Sequence, residues 1–351
     1  MVATGGGLLR AQHVSGLHAV TRELAEMRAS LLRAGDESRS VRLSVLTLVV
    51  ACADRESAEQ AAQVVERTAA SHPTRAIVLV ADPASEPRIE ADLSLSCSAT
   101  RGEQICVELV RLEVGGESAL HLRSVVSPLL LPDVPVHLWL AGSPPLSQAL
   151  SPDALELCER LVLDSDAYRD PAATLATLAR AVQRIRSLPA IGDLAWSRIR
   201  PWRELVGRAF ESPELRGFAL GIEEVEVRCA SAPPSAEARL LAGWITSQLR
   251  RAGSPVPAVT HLPGYGSAGE LLGVTIRARR RDRVGRVDIA GEGDRRTTSI
   301  AVEGGMRSVT STWTVAFERP GLVELVGTQI EEQGGDPLYI AALLAAAADP
   351  P

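Results

Sequence analysis

A glycine-rich stretch in the second half of the sequence has the spacing of a phosphate-binding loop. Residues 264–269 read Gly-Tyr-Gly-Ser-Ala-Gly and match the pattern G-x-G-x-x-G. Such a loop binds a pyrophosphate where a strand leads into it and a helix leaves it, because the amide groups at the helix start hold the anion. Here the following residues, 270–274, predict a strand, and no glycine lies at 53–57 after the apolar run 43–52. We therefore predict a structural loop and no dinucleotide site.

The side chains that usually carry catalysis or bind metals form no recognisable group. The sequence contains no G-x-S-x-G, no Walker A pattern and no H-E-x-x-H. Its six histidines, at positions 13, 18, 72, 121, 137 and 261, lack the short spacing of a metal site. Asp164 and Asp166 follow a predicted strand, where they serve either as ligand contacts or as turn and cap residues, and we favour the second role. The sequence predicts no catalytic residue, no cofactor-binding residue and no metal ligand.

Arginine and tryptophan supply the other side chains suited to contacts with a partner. Alternate positions of one predicted strand carry arginine: Arg277, Arg279, Arg281 and Arg283. Alternation places them on one face, which is either solvated or docked on an acidic partner or a phosphate. Trp196 and Trp202, the second followed by Arg203, resemble interface anchors, although core packing is the more common role for each tryptophan.

Composition and charge limit the class of protein. The chain has 351 residues, 46% of them hydrophobic and 23% charged, which is typical of a globular protein with two domains. It carries 37 basic residues, all arginine, against 43 acidic ones, and the net charge of −6 argues against nucleic-acid binding. The first residues lack the pattern of a signal peptide, and no apolar run reaches the roughly 20 residues that span a bilayer. We therefore expect a cytoplasmic protein.

The cysteines are scattered and form no C-x-x-C: Cys52, Cys97, Cys106, Cys158 and Cys229. Residues 88–98 and 104–114 alternate around a turn at 99–103 and predict a hairpin. In that hairpin Cys97 and Cys106 can face each other if the register is symmetric, at a separation that permits a disulfide. Because disulfides are rare in the cytosol, we expect reduced, mostly buried thiols.

The first part of the chain predicts an α/β domain. In chain order we predict a helix (8–33), a buried strand (43–52), a helix (54–70, capped by Asp54), a buried strand (76–81), the hairpin, a helix interrupted at Pro128 (121–131), buried strands (134–140 and 160–163) with a helix near 152–159 between them, and a helix opened by Asp170 (171–187). A strand–helix–strand order implies parallel strands. We therefore predict a Rossmann-like sheet that is mixed and mainly parallel.

The second part predicts an α+β domain, and we place the boundary between residues 187 and 188, before Pro189. Its predicted elements are a helical segment (196–210), a strand (222–229), a helix (235–251), an antiparallel meander (271–279, 283–290, 297–302 and 309–317) and two closing helices (321–332 and 337–348). The predicted domains are thus 1–187 and 188–351.

One long string in the first domain carries a resemblance. Residues 121–139 read HLRSVVSPLLLPDVPVHLW, with Gly142 and Pro145 behind them. Shorter segments agree in the same order: 72–76, 104–108, 160–165, and 193–196 with 201–205. Together these segments resemble the OpcA family, the assembly or effector proteins of glucose-6-phosphate dehydrogenase. The sequence departs from the family at Leu140, where a second tryptophan is common, and at Ala195, where asparagine is usual.

The resemblance implies a non-catalytic assembly factor or allosteric activator of glucose-6-phosphate dehydrogenase in the oxidative pentose phosphate pathway. The candidates for contact with that partner are His121, Arg123, Asp133, Trp139, Trp202 and Arg203. No nucleic acid or membrane is expected as a partner, and the sequence leaves homo-oligomerisation open. The alternatives are a nucleotide- or phosphosugar-binding enzyme or sensor on the Rossmann-like sheet, and a general scaffold.

Overall fold

A computed structural model describes residues 7–34, 40–42, 44–68, 73–100, 103–304 and 308–348. The chain forms two compact units, each assembled from separate stretches. Unit 1 contains Met1–Asp164, Leu188–Gly192 and Gly321–Gly335. Unit 2 contains Ser165–Ser187, Asp193–Pro320 and Asp336–Pro351. The domain boundary between residues 187 and 188 stays a prediction, and His72 lies outside the described residues.

Unit 1 is built on a mixed sheet, sheet A. Its strands are β1 (Gly7–Ser15), β2 (Ser40–Arg42), β3 (Leu46–Cys52), β4 (Thr74–Asp82), β5 (Arg88–Thr100), β6 (Glu103–Gly115), β7 (Val136–Ala141), β8 (Arg160–Leu163) and β9 (Ala190–Asp193). They lie in the order β1-β5-β6-β4-β3-β7-β8-β9, and β2 pairs with β6. Strands β6, β4, β3, β7 and β8 pair parallel to their neighbours in that run, whereas β5 is antiparallel to β1 and β6. This confirms the predicted mixed, mainly parallel sheet.

The helices of both units begin largely where the sequence predicts. They are α1 (Leu17–Ala34), α2 (Arg55–Thr68), α3 (Leu122–Val126), α4 (Leu146–Ala149), α5 (Pro152–Leu155), α6 (Pro171–Arg184), α7 (Leu194–Arg198), α8 (Arg200–Glu211), α9 (Ala236–Arg251), α10 (Leu322–Glu331) and α11 (Pro337–Ala348). Oxygen atoms of Asp54, Asp170 and Ser235 accept backbone N–H groups three residues on, at 2.8, 2.9 and 3.3 Å. These caps fix the starts of α2, α6 and α9, because the first turn of a helix leaves its N–H groups without partners.

The central parallel strands form the core of unit 1. Every residue of β7 is buried, and so is every residue of β3 except Ala51. Strands covered on both faces carry apolar residues continuously, and this pattern allowed β3, β4, β7 and β8 to be predicted from the sequence.

The N-terminal segment corrects one prediction. Residues 8–33 do not form one helix, since Gly7–Ser15 is strand β1 and α1 begins at Leu17. Strand β1 pairs antiparallel with β5 from Gly7 to Ser15. Gly16, with φ +85°, turns the chain between the two elements. The apolar spacing of this segment fits a helix and a strand about equally, and pairing with β5 favours the strand.

Unit 2 is built on a second sheet, sheet B. Its strands are β10 (Ile222–Cys229), β11 (Val259–Pro263), β12 (Leu271–Arg280), β13 (Arg283–Glu292), β14 (Arg295–Glu303) and β15 (Val309–Ala316). They lie in the order β11-β10-β12-β13-β14-β15, and all pairs are antiparallel except β10–β11. The predicted meander is confirmed, whereas β11 is an addition to the prediction, because Pro257 and Pro263 border it and read as loop.

The arginine run of unit 2 does not lie on one face of one strand. Strand β12 ends at Arg280, Arg281 lies in a turn with φ +57°, and Arg283 begins β13. Arg277 and Arg279 pair with carboxylates of β10, at 2.7 and 3.0 Å. The prediction of a four-arginine face is therefore wrong, because the hairpin turn falls inside the run.

Candidate partner-binding site

The segment 121–131 presents two of the predicted contact residues on the surface of unit 1. Helix α3 and the 3₁₀ turn Ser127–Leu129 bury Val125, Val126 and Leu129. His121 and Arg123 point the other way and are exposed. Arg123 forms an ion pair with Glu156, which is also exposed. As predicted, the helix ends where Pro128 follows Ser127, because proline removes a backbone donor.

The turn that follows places Asp133 outside and Trp139 inside. Asp133 is exposed and has φ +59°, a conformation that aspartate tolerates better than most residues. Trp139 lies in β7 between Val50 of β3 and Val162 of β8, and only 3% of it is exposed. Trp139 is therefore a core residue, and direct contact with a partner needs exposure that it does not have.

A cavity of about 520 Å³ lies at the amino ends of the parallel strands of sheet A. Its lining includes Val45 before β3, Pro135 before β7, Glu159 before β8 and Ala190 at the start of β9. Nucleotides in open α/β sheets bind at the carboxyl ends of strands. This cavity is therefore on the edge opposite to a Rossmann site, which gives the nucleotide-binding alternative no support.

Two buried polar side chains border this cavity. His137 and Arg160 are partners in the β7–β8 register, and 7% and 3% of them are exposed. The Arg160 guanidinium donates to the backbone oxygen of Gly334 at 2.6 Å and to Oε1 of Gln329 at 3.2 Å. Burial, and secondly the charge of Arg160, lowers the pKa of His137 to about 4. Arg160 thus holds the segment after α10 against sheet A, beside a neutral imidazole.

In unit 2, Arg203 is part of an aromatic cluster. Its guanidinium carbon stands 3.5 Å from the ring centroid of Trp196, which in turn lies 5.8 Å from the ring of Tyr339. The indole N–H of Trp196 donates to Asp336 at 2.8 Å, and the Tyr339 hydroxyl donates to Asp193 at 3.2 Å. Burial raises the pKa of Tyr339 well above its ordinary value. Arg203 is half-buried here and stabilises the cluster through a cation–π contact.

Trp202 is a core residue of unit 2. Only 2% of it is exposed, and the guanidinium of Arg296 lies 5.0 Å from its ring and 4.3 Å from the ring of Phe317. Helix α8 begins at Arg200 with Pro201 in its first turn, and this start turns Trp202 inward. The sequence expectation that Trp202 anchors a partner requires an exposed indole, which this packing does not provide.

A carboxylate is buried between two arginines in unit 2. Glu237, at the start of α9, is 3% exposed and accepts from Arg198 at 2.6 Å and from Arg319 at 2.7 Å. Burial outweighs the two guanidinium groups and raises the pKa of this carboxyl. Beside it, Asp166 accepts the backbone N–H of Ala236 at 2.7 Å. This contact fits the capping role that we favoured for Asp166 over a ligand contact.

The glycine loop of unit 2 joins two strands. Strand β11 ends at Pro263, residues 264–269 form the loop, and β12 starts at Leu271. The strand that follows the loop was predicted, and in this described segment no helix start lies behind the loop. Tyr265 at the loop tip is fully exposed. Across the described residues, no group of three or more histidine, cysteine or acidic side chains could hold a metal ion.

The cysteines correct a second prediction. Cys97 and Cys106 are register partners in the β5–β6 hairpin and form a disulfide bond. The symmetric register that permits the bond agrees with the sequence, but the expectation that all thiols are reduced is wrong for this pair. Cys52, Cys158 and Cys229 are free. Burial raises the pKa of Cys52 and of Cys158 to about 12, which keeps those thiols unreactive.

The resemblance found in the sequence is confirmed by family comparison. The N-terminal domain model of a glucose-6-phosphate dehydrogenase subunit, named for OpcA and assembly, matches residues 65–180. The corresponding C-terminal domain model matches residues 189–343. These two domains, in this order, define a subunit class associated with that dehydrogenase. The chain belongs to the OpcA family.

Individual relatives agree with this family. The chain is 30% identical over 190 residues to the OxPP cycle protein OpcA of Synechocystis, covering 53% of this chain and 39% of that protein. It is 30% identical over 184 residues to the OpcA protein of Synechococcus elongatus, covering 52% and 40%. The matched part thus spans about two fifths of each relative's length.

Solved structures also align with most of the chain. A 3-ketoreductase from Actinomadura kijaniata, KijD10, is 10% identical and covers 87% of this chain and 95% of that one, with a TM-score of 0.38. That score is too low to define a shared fold.

Among the described residues, no helix combines the length and the apolar character needed to cross a membrane.

Proposed function

We propose that this protein binds glucose-6-phosphate dehydrogenase and acts on it as a non-catalytic assembly factor or allosteric activator. The observation that carries the proposal is the match of two family models, both described as domains of a glucose-6-phosphate dehydrogenase subunit, over residues 65–180 and 189–343. The protein then belongs in the compartment of that enzyme, the cytoplasm. An activator of this kind works by binding the active state of its partner more tightly than the inactive state.

Three of the predicted contact residues are exposed, which supports the segment 121–133 as part of the surface that binds the dehydrogenase. His121, Arg123 and Asp133 are exposed in unit 1, within the segment that carries the family resemblance. Arg123 forms an ion pair with the carboxylate of Glu156, and both side chains reach solvent. Arginine is enriched among residues that dominate protein interfaces. We propose these three residues, together with the exposed part of Arg203 in unit 2, as contacts with the dehydrogenase.

Steady-state kinetics test the function directly. The purified protein alone should show no NADP-dependent oxidation of glucose 6-phosphate. Added in saturating amounts to the dehydrogenase, it should raise turnover or lower the KM for glucose 6-phosphate. Unchanged kinetic constants at saturation, with complex formation verified by sedimentation, would remove the activator role.

A pair of arginine variants tests the surface. Arg123→Ala should weaken the complex at least tenfold, which corresponds to about 1.4 kcal/mol. The matched control is Arg55→Ala, which removes another exposed arginine paired with a carboxylate, Glu113, at 2.6 Å. The control should bind as the wild type does. Equal affinities for both variants would show that Arg123 is not part of the interface.

A further inference from the structure

The terminal strand of sheet B has an open edge. Strand β15 pairs with β14 on one side and is last in the strand order, so no described strand covers its other side. None of its eight side chains is buried. A strand at a sheet edge offers a row of backbone donors and acceptors to another strand.

The usual protections of an edge strand are missing from β15. Residues 308–317 contain no acidic residue, no arginine and no proline, although 23% of the chain is charged. The register with β14 runs without a shift from Val309 to Ala316, so no bulge twists the edge away. The opposite edge of the sheet, β11, is short and ends in Pro263, which cannot donate a ladder hydrogen bond. Edge strands normally carry a charge, a proline or a bulge against unwanted pairing.

The sequence of β15 is nearly symmetric. Three pairs of residues mirror one another about Thr312: Val309 and Val315, Thr310 and Thr314, Ser311 and Trp313. In an antiparallel pair related by a two-fold axis through Thr312, each of these residues lies opposite its mirror partner. Valine then meets valine, threonine meets threonine, and the large Trp313 meets the small Ser311. Mirror partners differ by an even number of positions, so each pair shares one face of the sheet.

We propose that β15 binds β15 of a second copy of this chain, antiparallel and centred on Thr312, so that two six-stranded sheets join into one. A two-fold interface uses the same surface of both copies and therefore requires self-complementarity, which this strand has. The stretch is neutral, so two copies meet without repulsion between like charges. Hydroxyl contacts already link β15 to β14, between Thr312 and Ser299 at 3.2 Å and between Thr314 and Thr297 at 3.0 Å. The second copy continues this threonine ladder.

Sedimentation equilibrium over a range of protein concentrations tests the dimer. The wild-type protein should show a monomer–dimer equilibrium. Thr312→Lys places two ammonium groups opposite each other on the two-fold axis and should weaken dimerisation at least tenfold. Thr312→Ser, which keeps the hydroxyl and the neutral edge, should dimerise as the wild type does. The side chain of Thr312 is exposed, so circular dichroism should show that all three proteins are folded.

Charge pairs and cross-links test the register. The double variant Thr310→Lys with Thr314→Glu puts opposite charges across the axis and should remain dimeric, whereas Thr310→Lys with Thr314→Lys should not. Under mild oxidation Thr312→Cys should form a disulfide between copies, because a residue on the axis faces itself within disulfide range. Thr310→Cys should not, since four residues, about 13 Å of strand, separate the two copies of that position.

Three results would overturn the proposal. The first is a wild-type protein that stays monomeric at the highest concentration. The second is a dimer that Thr312→Lys leaves intact, because another surface then forms it. The third is a wild-type monomer whose binding to the dehydrogenase is abolished by Thr312→Lys, because the edge of β15 then binds that enzyme and not a second copy. Self-association of the chain is measured without the dehydrogenase, so this test and the kinetic test fail independently.

Discussion

The buried imidazole of His137 makes the stability of this protein sensitive to mild acid. Burial, and secondly Arg160, lowers the pKa of His137 from an ordinary 6.5 to about 4. In the unfolded chain the imidazole takes up a proton below about pH 6.5, whereas in the native protein it does so only below about pH 4. The unfolded state therefore binds more protons in this window, and the free energy of unfolding falls as the pH decreases from 6.5 to 4.

The size of this effect follows from the difference between the two pKa values. One pKa unit corresponds to about 1.4 kcal/mol, so the full contribution is about 3 kcal/mol, and about 2 kcal/mol of it is lost between pH 7 and pH 4.5. Urea denaturation at these two pH values measures the loss. Carboxylates also titrate there, so the comparison is with His137→Gln, which keeps every other titrating group.

The test compares the loss of stability between the two pH values in the wild type with the loss in His137→Gln. The wild type should lose about 2 kcal/mol more than His137→Gln between the two pH values. Any loss of packing in the variant is nearly the same at both and cancels. His121→Gln, which removes an exposed imidazole, serves as the control and should behave as the wild type does. If His137→Gln loses as much stability as the wild type, a buried neutral imidazole is not the source and the reasoning fails.

Two further predictions concern buried pairs. Arg198→Met should lower the free energy of unfolding by about 3 kcal/mol or more, because the buried carboxylate of Glu237 then loses one of its two guanidinium partners. Arg279→Met, which breaks the exposed pair with Glu223, should lower it by under about 1 kcal/mol, and urea denaturation of both variants checks this difference. Replacing Cys97 and Cys106 together by serine should lower the free energy of unfolding by about 2–3 kcal/mol, because the disulfide no longer closes a loop in the unfolded chain. Reductant should destabilise the wild type but not the variant. Equal sensitivity of both proteins to reductant would refute this prediction.

Much of the fold was predictable because burial on both faces leaves a clear pattern. The runs that became β3, β4, β7 and β8 are continuously apolar and short, which is typical of central parallel strands. The starts of α2 and α6 were visible from the cap residues Asp54 and Asp170. In contrast, residues 8–15 were predicted as part of a helix, because so short a segment with mixed spacing does not separate a period of 3.6 from one of 2. Pairing with β5 favours the strand.

The candidate site was predictable only in part. Of the six contact residues predicted from the sequence, His121, Arg123 and Asp133 are exposed in the structure. It did not show whether a tryptophan points outward, and Trp139 and Trp202 turned out to be core residues because the neighbouring strands and Arg296 cover them. The direction of a side chain depends on partners far along the chain, which a local pattern does not contain.

The contact between His137 and Arg160 could not be predicted from local sequence either. They are 23 positions apart and become neighbours only through the β7–β8 register. The disulfide is the intermediate case. Its geometry followed from the symmetry of one hairpin, but the oxidation state of two thiols depends on their surroundings and not on spacing.

The interleaving of the two units affects the order in which a newly synthesised chain can fold. Unit 1 needs Gly321–Gly335, which carries α10, and α10 packs on α2. The ribosome makes α2 more than 250 residues before α10, so the surface of α2 that α10 contacts lacks this partner while those residues are added. Domains usually fold in turn as they leave the ribosome. In this protein unit 1 is the first to begin folding, but it lacks α10 until residues 322–331 have been made. Synthesis of α10, and not of the first half of the chain, therefore sets the moment at which unit 1 closes.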